Sequence, residues 1–230
     1  MDRELLASAE RPSTSDRGLW LRWVAANAAG EFVGLGLLSL VAILVVSVVV
    51  GDPSGLSFDV GFAVLLVALG TLEGAVVGTF QWTVLRRRLP SVASRDWVGA
   101  TAIGAFVAWA LGMAPSTLQF GGVAPAGMPV DPGGPLLVAL AAAMGAVLGL
   151  VLAGPQWFVL RRHVNRAWWW FPANAAGWAV GMPVVFLGVG AAAEGGFGLA
   201  SAAVVLAAVA LAGAVVGAVH GLALVRVLRG

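Results

Sequence analysis

The sequence has no cysteine and no lysine, and few charged residues of any kind. Without cysteine the chain cannot form disulfides, bind metals through thiolates or use a cysteine nucleophile. Without lysine it cannot form the Schiff base that attaches carbonyl cofactors such as retinal. Only 10% of the 230 residues are charged while 60% are hydrophobic, and the mean hydropathy is +0.96. A balance this apolar lies outside the range of soluble domains and indicates an integral membrane protein.

The sequence also lacks the motifs of common enzyme and cofactor classes. It contains no serine hydrolase arrangement, no HExxH zinc motif, no phosphate-binding loop and no dinucleotide-binding fingerprint. A net charge of +2 is too small to indicate nucleic-acid binding. We therefore predict that the protein is not an enzyme, uses no cofactor and does not bind nucleic acid.

The basic residues, all of them arginine, lie in clusters before, between and after pairs of apolar segments. The clusters are 3, 11, 17 and 22, then 86–88 and 95, then 161, 162 and 166, then 226 and 229. The alternate loops carry only acidic residues, which are Asp52, Asp59, Asp131 and Glu194. By the positive-inside rule, both termini and both arginine-rich loops are predicted on the cytoplasmic face of a bacterial inner membrane.

This charge pattern divides the chain into six predicted transmembrane helices. They are 20–50, 58–86, 97–114, 136–161, 168–192 and 199–226, and each approaches or exceeds the roughly 20 residues that cross a bilayer. The polar segment 1–19 is predicted to be a cytoplasmic tail, and 20–230 to form one transmembrane domain. Segment 115–135 holds five prolines and five glycines, which predicts an external loop that is either a connector or a lid.

Two sequence patterns recur three times along the chain. WVAANAAG at 23–30, WVGATAIG at 97–104 and WFPANAAG at 170–177 align without a gap, as do GAVVGTFQWTVLRR at 74–87, GLVLAGPQWFVLRR at 149–162 and GAVVGAVHGLALVR at 213–226. They predict three helical hairpins of like orientation, at about 20–90, 95–166 and 167–230. The predicted fold is an all-α integral membrane protein whose hairpins form a pseudo-threefold bundle, or else pack without symmetry.

The repeated units resemble those of a known kind of protein. QWTVLRR at 81–87 and QWFVLRR at 156–162, each followed by a Trp-led helix with Ala and Gly, resemble small bacterial six-transmembrane proteins of uncharacterised function. The third copy departs from the pattern, with His220 and Gly221 in place of Gln and Trp. The resemblance implies a repeated-hairpin architecture and no particular activity.

Two carboxyl groups, Glu31 and Glu73, lie inside predicted spans. At 1.5 Å per residue they are roughly 16 and 20 Å into the membrane, measured from Trp20 and Arg86. A charged residue there costs about 2.5–3.5 kcal/mol, so each acid is expected to be protonated, hydrogen-bonded, or facing water or a cation. Only the first hairpin has such acids. We interpret them as a pair that binds a proton, a cation or a polar substrate group. The alternative is a protonated, hydrogen-bonded structural pair, or acids that face a partner subunit.

Six further polar side chains occupy equivalent positions in the three repeats. They are Asn27, Thr101 and Asn174 on the first helix of each hairpin, and Gln81, Gln156 and His220 on the second. Threefold packing would bring them into one layer near the cytoplasmic boundary. The layer is either a substrate- or ion-binding site or a set of interhelical hydrogen bonds that fixes register. A lone histidine is weak evidence for a metal, so no metal site is predicted.

Arginine and tryptophan residues mark the predicted cytoplasmic boundary. Candidates for binding anionic lipid head groups are Arg86, Arg87, Arg88, Arg161, Arg162 and Arg166. Eight of the ten tryptophans are interpreted as an interfacial belt: Trp20, Trp23, Trp82, Trp97, Trp157, Trp168, Trp169 and Trp170.

Two classes of function remain open from the sequence. The repeats, the acids and the polar layer favour a small transporter or channel that uses the acidic pair. Small residues at four-residue spacing and the near absence of soluble mass favour a noncatalytic accessory or scaffold subunit of a larger membrane complex. The lipid bilayer is the expected partner in both cases, and other membrane subunits are partners in the second.

Overall fold

A computed structural model describes residues 14–37, 60–118, 134–194 and 198–229. Within these ranges the chain forms six α-helices, which are α1 (Thr14–Glu31), α2 (Val60–Leu85), α3 (Ser94–Leu118), α4 (Gly134–Leu160), α5 (Trp170–Glu194) and α6 (Leu199–Val227). A π-helical turn, Phe32–Leu37, continues α1, and a 3-10 turn, Ala167–Trp169, leads into α5.

Five of the helical segments are long and apolar enough to cross a bilayer. They are Ala63–Leu85, Ser94–Met113, Gly134–Leu160, Ala167–Glu194 and Leu199–Val227, with lengths of 20 to 29 residues. The chain is therefore a multi-pass membrane protein by helix length and hydropathy. The predicted first span, 20–50, extends into 38–50, which lies outside the described residues, and so does most of the predicted loop 115–135.

Helix α1 begins six residues before the predicted first span. Residues 14–19, the end of the predicted cytoplasmic tail 1–19, are helical, and 1–13 lies outside the described residues. Asp16 explains the difference: it pairs with Arg229 at 2.9 Å and with Arg88 at 3.7 Å. An acidic side chain in the first turn of a helix also interacts favourably with the helix dipole. Asp16, one of the charged residues that suggested a tail, thus connects this turn to the loop after α2 and to the end of α6.

The six helices form a closed ring. Each helix packs against its neighbours in the chain, and α6 packs against α1. Helices α1, α3 and α5 begin, and α2, α4 and α6 end, at the same end of the ring. This end bears the loops 86–93 and 161–166 together with residues 226–229, and we call it the arginine end.

Glycines allow close backbone contact inside each hairpin. The contacts involve equivalent positions of the repeats: Gly30 with Val77, Gly104 with Leu152, and Gly177 with Val216. A Cβ atom on the glycine would lie 3.0, 3.1 and 3.5 Å, respectively, from the Cα atom of its partner. Such contact replaces the hydrophobic effect, which cannot drive helix association in lipid.

Glycines serve the same purpose between hairpins. Each packs against a backbone carbonyl of the next hairpin around the ring: Gly74 against that of Thr101, Gly149 against that of Asn174, and Gly213 against that of Asn27. A Cβ atom at Gly213 would lie 2.7 Å from the Asn27 carbonyl oxygen. The third contact, between α6 and α1, closes the ring.

The apolar core lies at the arginine end. Its centre is a triangle of indole rings from Trp23, Trp97 and Trp170, whose centroids are 6.4, 6.0 and 6.0 Å apart. These three side chains are 0, 0 and 1% exposed, so their interpretation as part of an interfacial belt is wrong. Closer to the arginine end, the equivalent residues Leu85, Leu160 and Leu224 are also completely buried. We call the three tryptophans the tryptophan floor.

Candidate functional site: an axial cavity

A cavity of about 380 Å³ lies inside the ring, on the side of the tryptophan floor away from the arginine end. All six helices contribute to its lining, and we call it the axial cavity. Its size falls in the range of small-molecule binding sites, about 300–1,000 Å³. The cavity brings together the predicted substrate- or ion-binding candidates, which are Asn27, Glu31, Glu73, Gln81, Thr101, Gln156, Asn174 and His220.

Three hydrogen bonds connect the tryptophan floor to the cavity lining, one between each hairpin and the next in the ring of helices. Each indole Nε1 donates to a polar side chain of the preceding hairpin: Trp97 to Gln81 Oε1 at 3.1 Å, Trp170 to Gln156 Oε1 at 2.8 Å, and Trp23 to His220 Nδ1 at 2.8 Å. Indole nitrogen can only donate, so the acceptor atom of each partner is fixed. Sequence reasoning missed these tryptophans, although they are the ones that recur at equivalent positions in all three repeats.

Further hydrogen bonds join the polar residues of the first two hairpins. Gln81 Nε2 donates to Asn27 Oδ1 at 2.8 Å, and Gln156 Nε2 donates to Thr101 Oγ1 at 2.9 Å and to Gln81 Oε1 at 3.2 Å. Each of the odd-helix side chains also donates to the carbonyl four residues earlier, as Asn174 does to Trp170 at 2.9 Å. These side chains are buried, and their hydrogen bonds join neighbouring helices.

The third hairpin leaves this network incomplete. His220 Nδ1 accepts from Trp23, so Nε2 carries the ring proton of the neutral imidazole. The bond equivalent to that between Gln81 and Asn27 would join His220 Nε2 to Asn174 Oδ1, yet neither atom has a hydrogen-bond partner among the described residues. Both side chains line the cavity and are 2 and 3% exposed. The cavity therefore has one free donor and one free acceptor at its deep end.

The two acids meet across α1 and α2. Glu31 and Glu73 are buried, and their carboxyl groups lie within hydrogen-bonding reach of each other. Trp109 on α3 donates its Nε1 to Glu73 Oε2 at 2.9 Å. Glu31 is eight residues beyond Trp23, which places the pair about 12 Å above the tryptophan floor. Sequence reasoning predicted the pair and missed Trp109, since nothing in the repeat marks that position.

The backbone beside the acids is irregular. The π-helical turn Phe32–Leu37 begins directly after Glu31. Within it, Gly34 packs against Glu73, and a Cβ atom there would lie 3.0 Å from Glu73 Cγ. The equivalent stretches 106–111 and 179–184 are regular α-helix. Because π-helical turns occur frequently at functional sites, the distortion sets the first hairpin apart at the position of its acids.

The rest of the cavity wall is apolar, aromatic or sulfur-bearing. Three methionines contribute to it, Met113, Met144 and Met182, together with Trp178 and Phe186. Among the described lining residues there is no arginine, and the titratable ones are the two acids and His220. The site thus combines carboxyl groups with an adaptable hydrophobic surface.

The arginines proposed for lipid binding divide into two groups. Arg86 lies over the Trp82 ring at 4.8 Å, and Arg161 lies over the Trp157 ring at 4.8 Å. Arg88 pairs with Asp16, as described above. No such ring contact or ion pair is described for Arg87, Arg162 and Arg166, and all six arginines are exposed. Binding of anionic head groups stays a prediction.

Comparisons with protein-family models, curated proteins and solved structures find no match to this chain. The resemblance to small bacterial six-transmembrane proteins therefore stays a prediction that depends on the repeated motifs. What the helices and their packing show is a multi-pass helical membrane protein with a cavity between its helices that is lined by two acids.

Proposed function

We propose that the protein is a small transporter whose substrate site is the axial cavity and whose binding groups include Glu31 and Glu73. The acids are the observation that carries this proposal. The other two hairpins pack in the same way with Ala105 and Leu148, or Trp178 and Ala212, at the equivalent positions. Packing alone therefore does not require acids there, and their insertion at mid-membrane costs about 2.5–3.5 kcal/mol each if charged.

We further propose that the three hairpins are related by a pseudo-threefold axis through the cavity. Four sets of equivalent contacts support this arrangement: the indole triangle, the three indole hydrogen bonds, and the glycine contacts within and between hairpins. Parallel repeats arranged around an axis normal to the membrane occur in other transporters, which place their substrates at the repeat interface.

A transporter accounts for the closed arginine end better than an open channel does. The tryptophan floor and the layer of Leu85, Leu160 and Leu224 block the axis with completely buried apolar side chains. A channel needs a continuous pathway, whereas a transporter exposes its site to one side at a time. With the arginine end in the cytoplasm, as the positive-inside rule predicts, this state is closed towards the cytoplasm.

Single cysteines in this cysteine-free chain test alternating access without knowledge of the substrate. Leu148→Cys places a thiol in the cavity at the level of Glu73, and Val147→Cys places one at the same depth on the outer face, where Val147 is 59% exposed. We expect a membrane-impermeant maleimide to label Leu148→Cys in both right-side-out and inside-out vesicles. The control Val147→Cys faces lipid and should remain unlabelled from both sides.

A third variant determines the orientation in the same experiment. Arg87→Cys lies at the exposed arginine end, so it should react only in inside-out vesicles. Labelling of Leu148→Cys from one side alone would contradict transport and favour an accessory subunit. Labelling of Arg87→Cys in right-side-out vesicles would reverse the proposed orientation.

A further inference from the structure

The two acids of the axial cavity favour a cationic ligand over an anionic one. Two carboxyl groups face the cavity, and no arginine among the described residues lines it. A bound cation would neutralise a carboxylate in a place where the chain supplies no basic partner. An anionic ligand would gain no such partner, and it would be repelled by either acid in its ionised form, strongly so in a medium of low dielectric constant.

The other residues that line the cavity do not suit a small inorganic ion as the ligand. A bare metal ion needs six to eight oxygen ligands or a small set of nitrogen and sulfur ligands, and no group of three candidate ligand side chains occurs in the described part of the chain. Trp109 and Trp178 instead line the cavity with indole rings, whose faces attract organic cations. Three methionine side chains, which adapt their shape to a ligand, also line the cavity.

Two polar atoms near the tryptophan floor, His220 Nε2 and Asn174 Oδ1, are a second and independent indication of a ligand. In the first two hairpins the equivalent side chains are hydrogen-bonded to each other, whereas His220 and Asn174 line the cavity without such a bond. His220 Nε2 and Asn174 Oδ1 are left for a molecule that enters the cavity.

We infer that the axial cavity binds a hydrophobic organic cation, with its positive group at Glu31 and Glu73 and its apolar body against the methionines and indole rings. A hydrogen-bonding group on the ligand can reach His220 and Asn174. Such a cation would be the substrate of the proposed transporter. Binding of the cation does not depend on that function, whereas its movement across the membrane does.

Two probe ions of the same size and shape and opposite charge test this inference. Tetraphenylphosphonium and tetraphenylborate are measured by equilibrium dialysis against the full chain in lipid nanodiscs, with empty nanodiscs subtracted. We expect saturable binding of the phosphonium and at least 100-fold weaker binding of the borate. Equal binding of both ions, or no saturable binding of either, would overturn the inference.

Variants then locate the binding site. Glu31→Gln and Glu73→Gln combined should weaken phosphonium binding at least 100-fold, whereas Glu194→Gln, the same change at an exposed acid, should leave it unchanged. If the double variant does not fold, the single variants serve the same purpose, each with a loss of at least 10-fold. Unchanged affinity in folded variants would overturn the inference.

The labelling of Leu148→Cys separates this inference from the proposed function. Labelling from both sides without phosphonium binding would overturn the ligand class and leave transport standing. Phosphonium binding with labelling from one side would support the ligand class and overturn transport.

Discussion

Replacing Trp170 with alanine is expected to lower the free energy of unfolding by about 3–5 kcal/mol, the usual cost of deleting a buried large aromatic side chain. Trp170 is 1% exposed, and its ring contacts those of Trp23, Trp97 and His220. Its Nε1 also donates to Gln156 Oε1. Alanine would leave a void in the tryptophan floor and a buried acceptor with no donor.

Two further variants separate packing from hydrogen bonding. Trp170→Phe keeps most of the ring volume and removes the donor, so we expect it to cost about 1–3 kcal/mol. Trp169→Ala removes a neighbouring indole that is 48% exposed, and we expect a change of about 0.5 kcal/mol or less. The measurement is denaturant unfolding in mixed micelles. A loss for Trp170→Ala as small as that expected for Trp169→Ala, about 0.5 kcal/mol or less, would show that burial of the floor does not stabilise the protein.

Gly149→Ala is expected to disrupt the contact between α4 and α5. The added Cβ would overlap the carbonyl group of Asn174 and lie 2.9 Å from the backbone nitrogen of Ala175. Backbone atoms cannot move aside as a flexible side chain can, so the helices must separate. We expect a loss of about 3 kcal/mol or more, the upper end of the cost of overpacking.

Gly190→Ala is the matched control, because it makes the same substitution on α5, the other helix of this pair. A Cβ atom at Gly190 would meet nothing within 4 Å. Since glycine is a weaker helix former than alanine, we expect this variant to be neutral or up to about 1 kcal/mol more stable. Both are measured by thermal unfolding in one detergent. A stable Gly149→Ala would mean that α4 and α5 are not in close contact.

The repeats made much of this site predictable from the sequence. Because Asn27, Thr101 and Asn174 align, and Gln81, Gln156 and His220 align, threefold packing of like hairpins predicted one polar layer. The structure brings all six around one cavity. Glu31 and Glu73 were predictable as a pair, since their distances from the Arg-marked boundary placed them at similar depth on adjacent helices.

The role of the tryptophans was not predictable from depth alone. Buried indole rings and interfacial ones lie at the same level, and tryptophan is enriched at membrane interfaces. Recurrence distinguishes them: Trp23, Trp97 and Trp170 occur in every repeat, whereas Trp82 and Trp157 have Gly221 in the third. The hydrogen bond from Trp109 to Glu73 depends on how two helices pack, and no sequence spacing encodes it.

Spin-label distances between equivalent positions of the three hairpins test the ring most directly. Arg87, Arg162 and Arg226 align in the repeats and are exposed at the arginine end. Because the chain has no cysteine, paired cysteine variants accept labels only at the chosen sites. A closed ring of three like hairpins predicts three nearly equal distances in lipid nanodiscs. One distance much longer than the other two would show hairpins in a row, without an enclosed cavity, and would contradict this account.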